Sequence, residues 1–282
     1  MNKQQWIVAG SGIILLFGLF FFGRTKPHSK GLVPQETHKG DEHNTLDITN
    51  ILTNFKKQLT PQQAARITSL ENAISRGDLV TQKIDNYGQL AAYWKDSVRQ
   101  YLPYLWYIGE KAKLEKSEKN LNFAAHSYLD EVRGVGDQSL KSWMALQAKD
   151  LFTRSLELNP LNDSAKVGLG STFFFGAGGD SSPMEGIMSI REVANRDTSN
   201  MFAQFMLGYG GMISGQLDKA AERFLNVIEH EPDNNEAIFL LAETYERLGE
   251  KKKAVYWFTE GRKRVSNPEV IKAIDDKIKT LQ

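Results

Sequence analysis

Residues 201–234 read MFAQFMLGYGGMISGQLDKAAERFLNVIEHEPDN, and residues 235–268 read NEAIFLLAETYERLGEKKKAVYWFTEGRKRVSNP. Laid over each other at a shift of 34, they put Leu207 on Leu241, Gly208 on Ala242, Gly215 on Gly249, Ala220 on Ala254 and Phe224 on Phe258. The residue types explain the period. Gly208 and Ala242, with Ala220 and Ala254, let two helices approach closely, while Phe224 and Phe258 fill the space between neighbouring pairs. Gly215 and Gly249 close the intervening turn.

This pattern resembles the tetratricopeptide repeat (TPR) family, a 34-residue helix–turn–helix unit marked by Leu-Gly, Tyr, Ala, Phe and Pro. Unit 235–268 carries Leu241, Ala242, Tyr245, Ala254 and Phe258, with Pro268 two residues late; unit 201–234 carries Leu207, Gly208, Ala220, Phe224 and Pro232, with Gly211 in place of the tyrosine. Upstream the match loosens. In unit 163–200, Leu169, Gly170 and Phe173 fit a first helix and Gly186 and Ile190 a second, with four extra residues between them. In unit 117–162, Ala148, Phe152 and Pro160 fit a second helix paired with a first near 117–133. After Asn267-Pro268-Glu269 a final helix over 268–282 puts Val270, Ile271, Ile274, Ile278 and Leu281 on one side and lysines on the other, the pattern of a solenoid cap. A wider resemblance, to membrane-anchored TPR proteins of Bacteroidetes-type bacteria, rests on Leu90 to Asp96 and Phe123 to His126.

The region 45–116 also carries helix punctuation. Ile48, Ile51, Leu52, Phe55 and Leu59 recur at helical spacing; Thr60-Pro61-Gln62-Gln63 supplies an N-cap, a first-turn proline and a capping-box glutamine, with Gly77 as a stop. A helix is expected from Asp78 toward Pro103, with Tyr87, Leu90, Ala91 and Trp94 on one side, then further helices over about 103–116, 117–133 and 138–158, the last two separated by Gly134-Val135-Gly136-Asp137. No stretch shows sustained period-two alternation. The fold class is therefore all-α: a TPR-like right-handed solenoid of antiparallel helix pairs over 45–282, closed by a capping helix and preceded by one N-terminal transmembrane helix.

That transmembrane helix is read from Trp6 to Gly23, WIVAGSGIILLFGLFFFG, in a stretch without ionisable side chains. As a helix it spans roughly 27 Å, close to a bilayer core. Trp6 at one edge and Arg24 and Lys26 at the other are residues that settle at a membrane interface. The alternative is a cleaved signal peptide; the run is longer than the usual apolar region of one and lacks a small-x-small cleavage pattern. Residues 1–23 are thus expected to anchor a single-pass protein, with the inner membrane of a bacterium implied by the resemblance. Lys3 and the amino terminus face Arg24, Lys26 and Lys30 on the long side. The count leans by one charge toward a cytoplasmic repeat domain and leaves a periplasmic one open. Residues 24–44, with Pro27, Gly31, Pro34 and Gly40 and few large apolar side chains, read as a flexible tether. His28, His38 and His43 lie in it at spacings that match no common metal-ligand motif and read as solvated linker residues.

Composition narrows the function classes. The chain has 282 residues, 35 Lys+Arg against 34 Asp+Glu, and no cysteine. Near-neutral balance argues against nucleic acid as a partner, and the absence of Cys excludes disulfides, thiolate metal sites and cysteine nucleophiles. Gly168-Leu169-Gly170 and Gly176 to Gly179 suggest a phosphate cradle but lack the strand and the Gly-Lys-Ser/Thr ending; helix packing and a loop explain them better. His126, among Ala124, Ala125 and Tyr128, reads as a core histidine, and His230 as a helix-end cation. Tyr101, Tyr104, Trp106 and Tyr107 read as core with hydroxyls reaching the surface, or else as a membrane or partner patch. No catalytic, cofactor-binding or metal-binding residue is expected.

In a TPR unit the fifth, ninth and twelfth residues of the first helix line the concave face, which the resemblance carries to Phe205, Tyr209 and Met212, and to Phe239, Glu243 and Glu246. Such a surface suits a protein or peptide with apolar and basic side chains. Adaptors of the family that grip a carboxyl terminus use Lys, Arg and Asn there, and this chain has none at those positions. The helix from Met201 to Tyr209 is apolar nearly all round, so the groove is alternatively filled by the chain itself, with the insertion 176–184 as the candidate plug. The function expected is a membrane-anchored adaptor or scaffold. The alternatives are a secretion or envelope-complex assembly helper, of cytochrome-maturation or translocon-associated type, and an enzyme with a site within 45–116.

Overall fold

The computed structural model describes residues 46–77, 79–177 and 183–282. The expected anchor 1–23, the tether 24–44 with its three histidines, and most of the 176–184 insertion lie outside the described residues. Among the described residues no helix is long and apolar enough to cross a membrane.

Thirteen α-helices follow one another in the described residues: α1 (Ile48–Lys56), α2 (Pro61–Arg76), α3 (Val80–Ala92), α4 (Tyr101–Glu115), α5 (Glu118–Val132), α6 (Gln138–Leu158), α7 (Asp163–Thr172), α8 (Pro183–Arg196), α9 (Met201–Ser214), α10 (Leu217–His230), α11 (Asn235–Arg247), α12 (Lys251–Arg262) and α13 (Pro268–Leu281). From α2 onward each packs mainly on its sequence neighbours, most extensively within the pairs α5–α6, α9–α10 and α11–α12. From α5 to α12 the pairs are those that the 34-residue reading requires.

Two kinds of turn alternate, each with its own chemistry. Between pairs the chain enters the next helix through an asparagine: Asn162, Asn200 and Asn234 each accept the backbone N–H three residues on, at 2.9–3.0 Å. Within pairs, Gly215 and Gly249 adopt φ of 78° and the following helix starts without a side-chain cap. The capping box at Thr60 and Gln63 forms as expected. Close approach is set by small residues. A Cβ on Gly208 would stand 2.8 Å from Cε1 of Phe224, and one on Gly170 would stand 2.7 Å from the Gly186 carbonyl oxygen. A Cβ on Gly168 would fall within the Phe152 ring, so the glycines near 168–170 are helix-packing residues.

Two expectations need correction. The helix expected from Asp78 to Pro103 is α3 alone, starting at Val80. It runs into a π-helical turn, Tyr93–Val98, closed by Arg99 at φ 60°, and α4 begins at Tyr101. The widened turn carries Trp94, fully buried against Phe55 with ring centroids 6.4 Å apart. The capping helix also departs from its expected division. Ile274 and Leu281 are buried, but Val270 is 44% exposed. Lys277, expected on the solvent side, reaches back to Glu246 of α11 at 2.7 Å.

Candidate partner-binding surface

The six residues expected to line one concave face divide into two groups. Phe205 and Met212 are only 6% and 7% exposed, and Tyr209 is half-buried. Their presentation on an open groove is therefore corrected: this part of the inner side is filled by the protein's own chain. The filling comes from two places. After α7 a short 3₁₀ turn, Phe173–Phe175, brings Phe174 and Phe175 onto Tyr209, at centroid distances of 6.2 and 5.5 Å. Phe174 fits because Gly210 has no side chain; a Cβ there would meet its Cζ at 2.9 Å. From the other direction the Arg133 guanidinium lies 6.0 Å from the Phe205 ring centroid, and Phe205 packs edge-on to Phe224 at 5.8 Å. The triple phenylalanine before the insertion was the signal for this plug, and Arg133 carried none.

Phe239, Glu243 and Glu246 do line an open groove, of about 650 Å³, between α11, α12 and α13. Its apolar wall is Phe239, Phe258, Val270 and Ile274. Phe239 seats over Gly261, where a Cβ would come within 2.7 Å of its ring. On the polar side Glu246 is held by Lys277. Glu243 forms no ion pair among the described residues, and its carboxyl is raised above the ordinary carboxylate range, by desolvation in the groove wall first and by neighbouring Glu246 second, with Lys277 and Arg247 opposing. The capping helix thus supplies a wall through Val270, Ile274 and Lys277, spaced four and three apart on one helical face. Chemically, the groove offers apolar contact beside a carboxylate without a fixed cation.

The remaining singled-out residues are structural in their surroundings. The His126 ring nitrogen Nε2 lies 2.8 Å from Ser164 Oγ, with Phe152 and Phe202 edge-on at 5.0 and 5.1 Å. Burial lowers its pKa, with Arg133 adding to the effect and Asp130 opposing it. His230 Nδ1 lies 2.9 Å from the Asn226 carbonyl at the end of α10. Tyr104 and Tyr107 are buried, while Tyr101 is 40% exposed. The Tyr107 hydroxyl donates to Glu71 at 2.6 Å rather than reaching the surface, and Lys56 donates to the same carboxylate at 2.7 Å. Among the described residues no cluster of three or more His, Asp or Glu is placed to hold a metal ion.

No protein-family model matches the chain, and no curated protein matches it. Among solved structures it is similar to MamA from Desulfovibrio magneticus RS-1, at 17% identity over 66% of this chain and 95% of that one, with a TM-score of 0.42. It is also similar to YrrB, described as a TPR protein with an unusual peptide-binding site, at 17% identity over 73% and 97% of the two chains and a TM-score of 0.41. A tetratricopeptide repeat protein from Parabacteroides merdae ATCC 43184 aligns at 14% identity over 78% and 99%, with a TM-score of 0.32. The tetratricopeptide reading of this chain rests on its own 34-residue period and on the helix pairs α9–α10 and α11–α12 which that period builds.

Proposed function

We propose that this protein is a binding scaffold which holds a segment of a partner protein in the groove between α11, α12 and α13. The observation that carries the proposal is that groove: about 650 Å³, walled by Phe239, Phe258, Val270 and Ile274, with Glu243 beside them. Its occupant is a protein or peptide segment with apolar side chains at helical or extended spacing and one basic side chain, which Glu243 receives as a carboxylate. Residues 1–23 anchor the chain in a membrane and residues 24–44 tether the repeat domain to it, so the scaffold acts as an adaptor at a membrane surface. The one-charge excess of Lys and Arg on the long side of the anchor favours the cytoplasmic face. The helix packing of the region 45–116, α2 on α3 and α3 on α4, supports reading it as a continuation of the same stack and hence as part of a binding scaffold.

The test is site-specific photo-crosslinking of the full-length chain in membranes. A probe at Ala273, in the groove, is compared with one at Leu161, which is 81% exposed and outside it. The Ala273 probe should capture one partner that the Leu161 probe does not. Val270→Glu or Glu243→Lys should reduce that capture about tenfold or more, as loss of a central contact does, while the circular-dichroism melt stays unchanged. If both variants keep their partner, this groove is not the binding site.

A further inference from the structure

In a solenoid each repeat touches only its neighbours, so overall curvature is the sum of small rotations at successive interfaces. Among the described residues one ion pair reaches past the neighbouring unit, as does the His126–Phe202 ring contact. Arg133 closes the C-terminus of α5, and Glu236 lies in the first turn of α11. Arg133 Nη2 donates to Glu236 Oε2 at 3.1 Å, and its Nε lies 2.6 Å from Oε1 without being aligned to donate there, an ion pair across 103 residues of sequence. The other inter-helix ion pairs among the described residues, such as Lys113–Asp150 at 3.1 Å and Lys277–Glu246 at 2.7 Å, join helices that are adjacent in order or one apart. The two terminal nitrogens of the guanidinium are also tied to its own helix: they donate to the Leu129 carbonyl and to Asp130, each at 3.1 Å. The guanidinium lies over Phe205 of α9, the first helix of the second of the two units in between. Beside it is a cavity of about 290 Å³ lined by Phe202, Phe205, Glu231 and Glu236.

We propose that Arg133–Glu236 is a latch that fixes the summed rotation from α5 to α11 and keeps the inner side closed over Phe205. Each partner on its own suits its helix end, a cation at a C-terminus and an anion at an N-terminus. That local preference does not by itself place the two within 2.6 Å of each other. With the latch released, the interfaces α5/α7, α7/α9 and α9/α11 are each free to rotate and the stack extends. A partner or membrane surface that competes for Arg133 or Glu236 therefore changes the curvature of the whole inner side.

Because the chain has no cysteine, two introduced thiols are the only ones present. Lys119→Cys and Lys251→Cys, both exposed, place spin labels on the two sides of the latched span of the full-length chain. The closed latch gives one narrow distance distribution, with a longer-distance minor state at ~1–10%. Arg133→Ala and Glu236→Gln should each raise that state about tenfold, and Arg133→Glu with Glu236→Arg should restore the narrow distribution. Glu236→Gln alone decides if Arg133→Ala loses helix by circular dichroism, since the Glu236 side chain is 44% exposed and Arg133 keeps Asp130 as its carboxylate partner when Glu236 is changed. An unchanged distribution in Glu236→Gln, or a charge swap that does not restore the narrow one, overturns the latch.

Discussion

Gly170→Ala tests the packing logic most directly. Gly170 lies in α7, and an added Cβ would stand 2.7 Å from the Gly186 carbonyl oxygen of α8 and 2.9 Å from Ile190 Cγ1. Ordinary contact begins near 3.4 Å, so α7 and α8 must separate by about 0.7 Å. The first obstacle is backbone, which cannot swing aside as a side chain does. Overpacking of this kind costs about 2–3 kcal/mol, and the helix-propensity gain of Ala over Gly returns about 1 kcal/mol. The net loss is about 1–2 kcal/mol, or roughly 3–7 °C in melting midpoint for a domain of this size. Gly88→Ala is the internal control. It lies within α3, and its added Cβ would meet only the Lys111 side chain at 3.6 Å, so the same change should stabilise by about 0.5–1 kcal/mol. The two variants should move the urea and thermal midpoints in opposite directions. If Gly170→Ala matches or exceeds Gly88→Ala, the close α7–α8 approach is not what the glycine serves. The displacement should also loosen Phe174 and Phe175 from Tyr209, read as increased hydrogen exchange in the second half of α9.

The pKa of His126 is lowered in the fold from 6.5 by burial, so the unfolded chain takes up a proton that the folded one refuses as pH falls through that value. Stability is complete above it and declines below it, by at most about 1.4 kcal/mol per pH unit; His126→Gln should flatten the difference between urea midpoints at about pH 7.5 and about pH 5.5. Tyr107→Phe removes the 2.6 Å bond to Glu71 and should cost about 1.5 kcal/mol, whereas Lys56→Met, whose side chain is 36% exposed, should cost under about 1 kcal/mol by denaturant titration. Phe224→Ala empties a fully buried site against Gly208 and Phe205 and should cost about 3–5 kcal/mol, while Tyr256→Ala, 57% exposed, should stay within about 0.5 kcal/mol. Equal effects in that last pair would contradict the burial pattern.

Legibility followed the range of the interactions. Residues 201–262 could be read because their signals are local: Gly215 and Gly249 in the turns, and Gly208 opposite Phe224 only sixteen positions on. Helix α6 was legible for the same reason, bounded by the turn Gly134-Val135-Gly136-Asp137 and by Pro160. The π-helical turn at Tyr93–Val98 was not, because its residues are ordinary helix formers and what widens the turn is the packing of Trp94. Of the six positions read from the repeat register, three lie on an open surface. Phe239, Glu243 and Glu246 line the open groove, but the same register placed Phe205, Tyr209 and Met212 on a face that Phe174, Phe175 and Arg133 cover.

By itself, then, the sequence determined the repeat unit with its helices and turns, since period, turn glycines and small-residue spacing are local signals. Only the tertiary structure decided where the inner side is open. That depends on rotations summed over several interfaces, which bring Arg133 onto Glu236 and leave the space between α11 and α13 unfilled.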